Sequence, residues 1–96
     1  MSLHTEINVM KTYSQIINLL NNWESLDDSK LTHLKMLLMP EDDPSMIFFK
    51  VFDHPGKDVH GNIIITRYHI EVYDDQYYFC DIIVDCTVHT ITYTFT

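Results

Sequence analysis

Six histidines, two cysteines and fourteen acidic side chains supply this 96-residue chain with the donors that metal or acid–base chemistry needs. The densest grouping is Asp53, His54, Asp58 and His60, inside DHPGKDVHG. A metal ion needs three or four donors converging on one point. The spacings that bring this about, such as HExxH, CxxC or an EF-hand loop, do not occur in the sequence. The stretch is therefore read as a solvated turn, and no metal ligands are assigned.

The thiols point the same way. Cys80 and Cys86 lie six residues apart on one expected strand, about 20 Å at the strand rise, too far to bridge. They are expected to be reduced, buried small hydrophobes. A Cys–His nucleophile pair fails on parity, because His69 points away from the face that carries both cysteines. Across the sheet, His69 is placed opposite Asp81, with Arg67 diagonal to Asp81 and Asp85. Such a constellation reads as a cross-strand ion-pair ladder on a wet face, worth a few tenths of a kcal/mol per pair. A glycine-rich phosphate loop is excluded, since Gly56 and Gly61 are the only glycines. No catalytic residue and no cofactor follow from these patterns, and the expected function is non-enzymatic.

The elements that position these groups are legible from hydrophobic periodicity. From Asn62 to Val88 the chain reads as one long β-hairpin. Ile64, Thr66, Tyr68, Ile70 and Val72 share one face of its first arm. Tyr78, Cys80, Ile82, Val84, Cys86 and Val88 share one face of its second. A two-residue loop at Asp74-Asp75 would oppose unlike faces. A three-residue loop, Asp74 to Gln76, matches them and sets Val72 opposite Tyr78, Ile70 opposite Cys80, Tyr68 opposite Ile82 and Thr66 opposite Val84. The other face carries Arg67, His69, Glu71, Asp81 and Asp85 mixed with Tyr73, Tyr77, Phe79, Ile63, Ile65 and Ile83.

Two amphipathic helices precede the hairpin. The first is expected from about Glu6 to Trp23, capped by Thr5, with Val9, Tyr13, Ile16, Leu20 and Trp23 in its stripe and Met10 and Ile17 flanking it. The second runs from Ser29 to about Met39, capped by Asp27 or Asp28, with Leu31, Leu34 and Leu38 buried and Pro40 as its stop. Met46 to Phe52 is a strand apolar on both faces except for Lys50, followed by a polar loop, Asp53 to Gly61. His89 to Thr96 is a last strand. Its apolar parity is odd where the preceding strand's is even, so a tight turn or bulge must intervene. The fold class is α+β: one domain, 1–96, with two N-terminal helices packed on a three- to four-stranded antiparallel meander. Tyr68, Ile70, Ile82 and Val84 are expected in the core with Ile16 and Leu20.

Charge bounds the function. Fourteen acidic against six basic side chains give a net charge of -8, which argues against direct nucleic-acid binding and favours a basic protein partner. No apolar run approaches 18 residues and no export leader is present, so a cytoplasmic, non-membrane protein is expected. The leading expectation is a small acidic inhibitor that occludes a larger, nucleic-acid-handling protein. Toxin-immunity proteins and phage anti-CRISPR proteins have this size and charge. The expected contact residues are Glu24, Asp27, Asp28, Glu41, Asp42 and Asp43 around the second helix, and Tyr73, Tyr77, Phe79, Asp81 and Asp85 on the hairpin. The alternatives are a subunit that self-associates as a homodimer through a sheet edge, and a small enzyme or ligand carrier.

Overall fold

A computed structural model of the chain describes residues 6–96, with side chains from residue 11 onward. The expected cap at Thr5 and the side chains of Val9 and Met10 lie outside the described residues. The elements are helix α1 (Glu6–Leu20), a 3-10 turn (Trp23–Ser25), helix α2 (Asp28–Leu38) and strands β1 (Ile47–Lys57), β2 (Ile63–Asp74), β3 (Tyr77–Asp85) and β4 (Thr90–Phe95). The fold is α+β, two helices followed by an antiparallel meander in the order β1-β2-β3-β4. Two compact units divide the chain, one ending at Met46 and one running from Ile47 to Thr96.

In the helical unit, Tyr13, Ile16 and Leu20 are buried at the expected helical spacing. The first helix stops short of Trp23 because two asparagines follow Leu20. The Asn22 side-chain amide donates to the carbonyl of Asn18 at 2.9 Å, competing with a further helical turn. Asp27 caps α2, its carboxylate accepting from the Lys30 backbone N–H at 2.8 Å. Leu34, Leu38 and Met39 are buried, Leu37 is half-buried and Met36 is exposed.

The sheet unit has one buried face. Ile47 on β1, Tyr68, Ile70 and Val72 on β2, and Cys80, Ile82 and Val84 on β3 are all buried there, at the parity that the sequence requires. The register differs from expectation. The hairpin turn is two residues, Asp75-Gln76, with Asp75 in the left-handed region at φ 57, and it pairs Asp74 with Tyr77 and Tyr73 with Tyr78. Continued unbroken, that register would oppose buried and solvated faces. A β-bulge between these pairs and Val72↔Cys80 leaves Phe79 without a Cα partner and brings the faces back into match. The pairs are thus Val72↔Cys80, Ile70↔Ile82 and Tyr68↔Val84, displaced by two residues with parity kept.

The parity change before β4 comes from a four-residue turn, 86–89, in which His89 adopts φ 58. The Asp85 carboxylate closes it, accepting from the backbone N–H of Thr87 at 2.8 Å and of Val88 at 3.2 Å. Cys86 and Val88, expected on the buried strand face, therefore belong to this turn, and Val88 is exposed. Strand β1 is longer than expected and takes in Asp53, His54 and Pro55, with a bulge between His54 and Pro55. A proline is tolerated there because β1 is an edge strand. Gly56 follows at a place where a Cβ would lie 2.5 Å from Cγ2 of Thr66.

Candidate functional site

Among the described residues, Asp53, His54, Asp58 and His60 do not converge on one point. Asp53 and His54 belong to β1, and Asp58 closes the β1–β2 loop from within. Its carboxylate accepts from the backbone N–H groups of His60 at 2.8 Å and Asn62 at 2.9 Å, which hold its pKa below the usual aspartate value. Gly61, at φ 81, supplies the left-handed residue that this loop needs.

The acids around α2 are also partly committed to the backbone. Asp27 is the helix cap, and Asp28 lies in the first turn, where its charge suits the helix dipole. Asp43 accepts from both the backbone N–H and the hydroxyl of Ser45, and its pKa is lowered by these bonds. Glu24 lies in the 3-10 turn, and Glu41 and Asp42 follow Pro40. An 11-residue helix is about 16 Å long, so the two acidic groups at its ends form no single patch. A shallow groove in this unit, lined by Asn18, Leu19, Asn22, Ser25, Leu26 and Lys30, contains one ionisable side chain.

The sheet assembles the richer surface, on the face opposite its buried one. Antiparallel pairing brings Phe48 beside Tyr73, Lys50 beside Glu71, Phe52 beside His69, and His54 beside Arg67. On the other side of β2, Tyr73 pairs with Tyr78, Glu71 with Asp81, and Arg67 with Asp85. Phe48 is 52% exposed, Phe52 45% and Tyr78 39%. The rings touch one another: Phe52 to His69 at 5.9 Å, His54 to His69 at 6.5 Å, and Tyr73 to Tyr78 at 5.5 Å between centroids. The Lys50 ammonium lies 5.0 Å from the centre of the Tyr73 ring, a cation–π contact.

Hydrogen bonds join the polar groups of this face in two sets, His69–Asp81–Tyr78 and Tyr73–Glu71, which meet through the contact of the Tyr73 and Tyr78 rings. Nε2 of His69 lies 2.6 Å from Oδ1 of Asp81, and since a carboxylate only accepts, Nε2 carries the proton. The Tyr78 hydroxyl donates to Oδ2 of the same carboxylate, and the Tyr73 hydroxyl donates to Oε1 of Glu71 at 2.8 Å. Tyr78 first, then His69, hold the Asp81 pKa below the usual aspartate range. Reciprocally, bonding to Asp81 pushes the Tyr78 hydroxyl up to about 12. Asp85 is lowered mainly by Thr87, with Arg67 contributing.

Of the hairpin residues expected to make contact, Tyr73 and Asp81 are brought together and Asp85 lies further along the same face. Tyr77 and Phe79 are not part of the network. Tyr77, 76% exposed, sits beside the turn opposite Asp74, and Phe79 occupies the bulge. The bulge replaces them with Tyr78, which the unbroken alternation assigned to the buried face. Phe48, Lys50 and Phe52 are the members that sequence reasoning left unassigned; Glu71 was placed on this face but not among the contact residues, and His54 was read as part of a polar loop. The two-sided apolarity of MIFFKVF was the signal for the phenylalanines. No protein-family model, curated protein or solved structure matches this chain. Among the described residues, no helix is long and apolar enough to cross a membrane.

Proposed function

We propose that this chain is a non-enzymatic binding protein. It occludes a basic, nucleic-acid-handling protein, with the mixed face of its sheet as the contact surface. The observation that carries the reading is the exposed set of Phe48, Phe52 and Tyr78 around the half-buried Tyr73, interleaved with Glu71, Asp81 and Lys50. Aromatic anchors inside a polar surround are the composition that protein interfaces favour. The rotamers of Phe52, Tyr73 and Tyr78 are already restrained by ring contacts and hydroxyl–carboxylate bonds, so little of their side-chain freedom is lost on binding. The net charge of -8 supplies long-range attraction to a basic surface, and acids outside the network, such as Glu24, Glu41 and Asp42, contribute to it. Occlusion then follows from charge mimicry: the acids occupy the lysines and arginines that nucleic acid would contact. The test is affinity recovery of a partner from the cells that make the chain, followed by a salt titration. A basic protein whose association rate falls steeply with ionic strength supports the reading. A neutral or acidic partner, insensitive to salt, contradicts it.

A second reading rests on strand β4. It is an edge strand, Thr90–Phe95 holds no charged residue or proline, and Phe95 is exposed. Protected edges usually carry such a guard. In this reading the chain is a subunit that pairs with its own copy through β4, and light scattering across a hundredfold dilution distinguishes a dimer from a monomer.

A further inference from the structure

We propose that His69, Glu71 and Asp81 form a binding site for a divalent transition-metal ion of the zinc class. His69 and Glu71 are two residues apart on β2, so both point to the same face, and Asp81 is the direct cross-strand partner of Glu71. One donor atom from each lies within 4.8 Å of the other two, and all three residues are half-buried. Four-coordinate zinc, with bonds of about 2.0 Å to nitrogen and oxygen, sets its donors about 3.3 Å apart. Side-chain rotations that open the 2.6 Å His69–Asp81 edge and draw in the Glu71 carboxylate would bring the three donors to that spacing. One imidazole with two carboxylates is a borderline donor set, suited to zinc and cobalt rather than to calcium or magnesium, which take oxygen ligands.

The surroundings are those of a supported site. Each carboxylate has one oxygen held by a tyrosine hydroxyl, Tyr73 on Oε1 of Glu71 and Tyr78 on Oδ2 of Asp81. This leaves Oε2 of Glu71 and Oδ1 of Asp81 for the ion, in orientations fixed from behind. The His69 ring is flanked by Phe52 and stacked with His54, which restrains its plane. On binding, the ion takes the place of the proton between Nε2 of His69 and Oδ1 of Asp81, and the neutral imidazole carries that proton on Nδ1 instead. Three protein ligands leave a further position for water or a partner's side chain. The site stands without the partner reading, because it is complete on one chain and is tested without a partner.

The experiment uses the untagged full chain, titrated with Zn2+ by calorimetry and with Co2+ by visible absorption. One ion per chain is expected, with cobalt d–d bands of a low-coordinate site. His69→Gln and Glu71→Gln each remove one ligand and should weaken binding about tenfold or more. Tyr78→Phe should weaken it less, at unchanged stoichiometry. His60→Gln, altered in the β1–β2 loop, should bind like the parent. Thermal melts of each variant establish that the fold is retained, and Glu71→Gln leaves the His69–Asp81 contact in place. Absence of binding by the parent chain overturns the proposal. Equal binding by parent and His69→Gln also overturns it, since the ion would then sit elsewhere.

Discussion

His69 and Asp81 meet on a diagonal of the β2–β3 ladder: Nε2 is 2.6 Å from Oδ1, although their Cα partners are Ile83 and Glu71. The bulge at Phe79 creates this relationship. It moves β3 by two residues relative to a plain three-residue hairpin, so Asp81 faces Glu71 and still reaches His69. It also turns Tyr78 onto the same face, where its hydroxyl bonds to Asp81. One irregular residue thus gathers a histidine, two carboxylates and two tyrosines on one surface.

The close approach at Gly56 predicts a specific pair of mutants. Gly56→Ala places a methyl 2.5 Å from Cγ2 of Thr66, a β-branched side chain pinned through its hydroxyl to the carbonyl of His54 at 2.9 Å. The expected loss is about 1–3 kcal/mol by urea unfolding. Thr66→Ser in the same chain removes the obstructing methyl and keeps the hydroxyl, and should restore most of that loss. A double mutant no more stable than Gly56→Ala would show that the clash is not the cause.

The lowered pKa of Asp58 predicts an acid dependence. Bonds from Asn62 and His60 favour its ionised form in the folded chain. Its contribution to stability is therefore present above the unfolded aspartate value, near 3.8, and is lost as pH falls through the lower folded value. Asp58→Asn should be less stable than the parent at neutral pH, and the gap should narrow on acidification below about pH 4. Melting midpoints across that range check this, and a constant gap would contradict it.

The two thiols should react at different rates. Cys80 is buried, whereas Cys86 lies half-buried in the β3–β4 turn. In the folded chain a thiol reagent should label Cys86 well before Cys80, as read by mass spectrometry of the peptides. Equal rates for both would mean that the turn is as closed as the core.

The regular parts of the molecule were legible in the sequence because burial and period agree. Tyr13, Ile16 and Leu20 recur at helical spacing, and Tyr68, Ile70, Val72, Ile82 and Val84 at strand spacing, and each set is buried as a set. The site was only half legible. His69, Asp81 and Tyr73 were placed on the right face by parity alone. Tyr78 was not, since alternation gives no sign of a bulge and a bulge reverses every assignment on one side of it. The turn at 86–89 was hidden for a related reason. Its left-handed residue is His89, where glycine or asparagine is the usual signal. The extent of β1 was obscured by Pro55, which reads as a loop residue until the strand is known to lie at an edge.

The mixed sheet face is the proposed contact with a basic partner. The most direct measurement is the affinity of that partner, once recovered, for the parent chain and for a Phe48→Ser, Phe52→Ser variant. Phe48 and Phe52 are about half exposed, at 52% and 45%, so a thermal melt of the variant accompanies the affinity measurement and only folded protein is compared. A loss of at least about tenfold in affinity is expected, from about 1.4 kcal/mol or more removed at the aromatic anchors. Unchanged affinity in the variant, with loss instead on Glu41→Gln, Asp42→Asn substitution, would move the contact to the helical unit and contradict the claim.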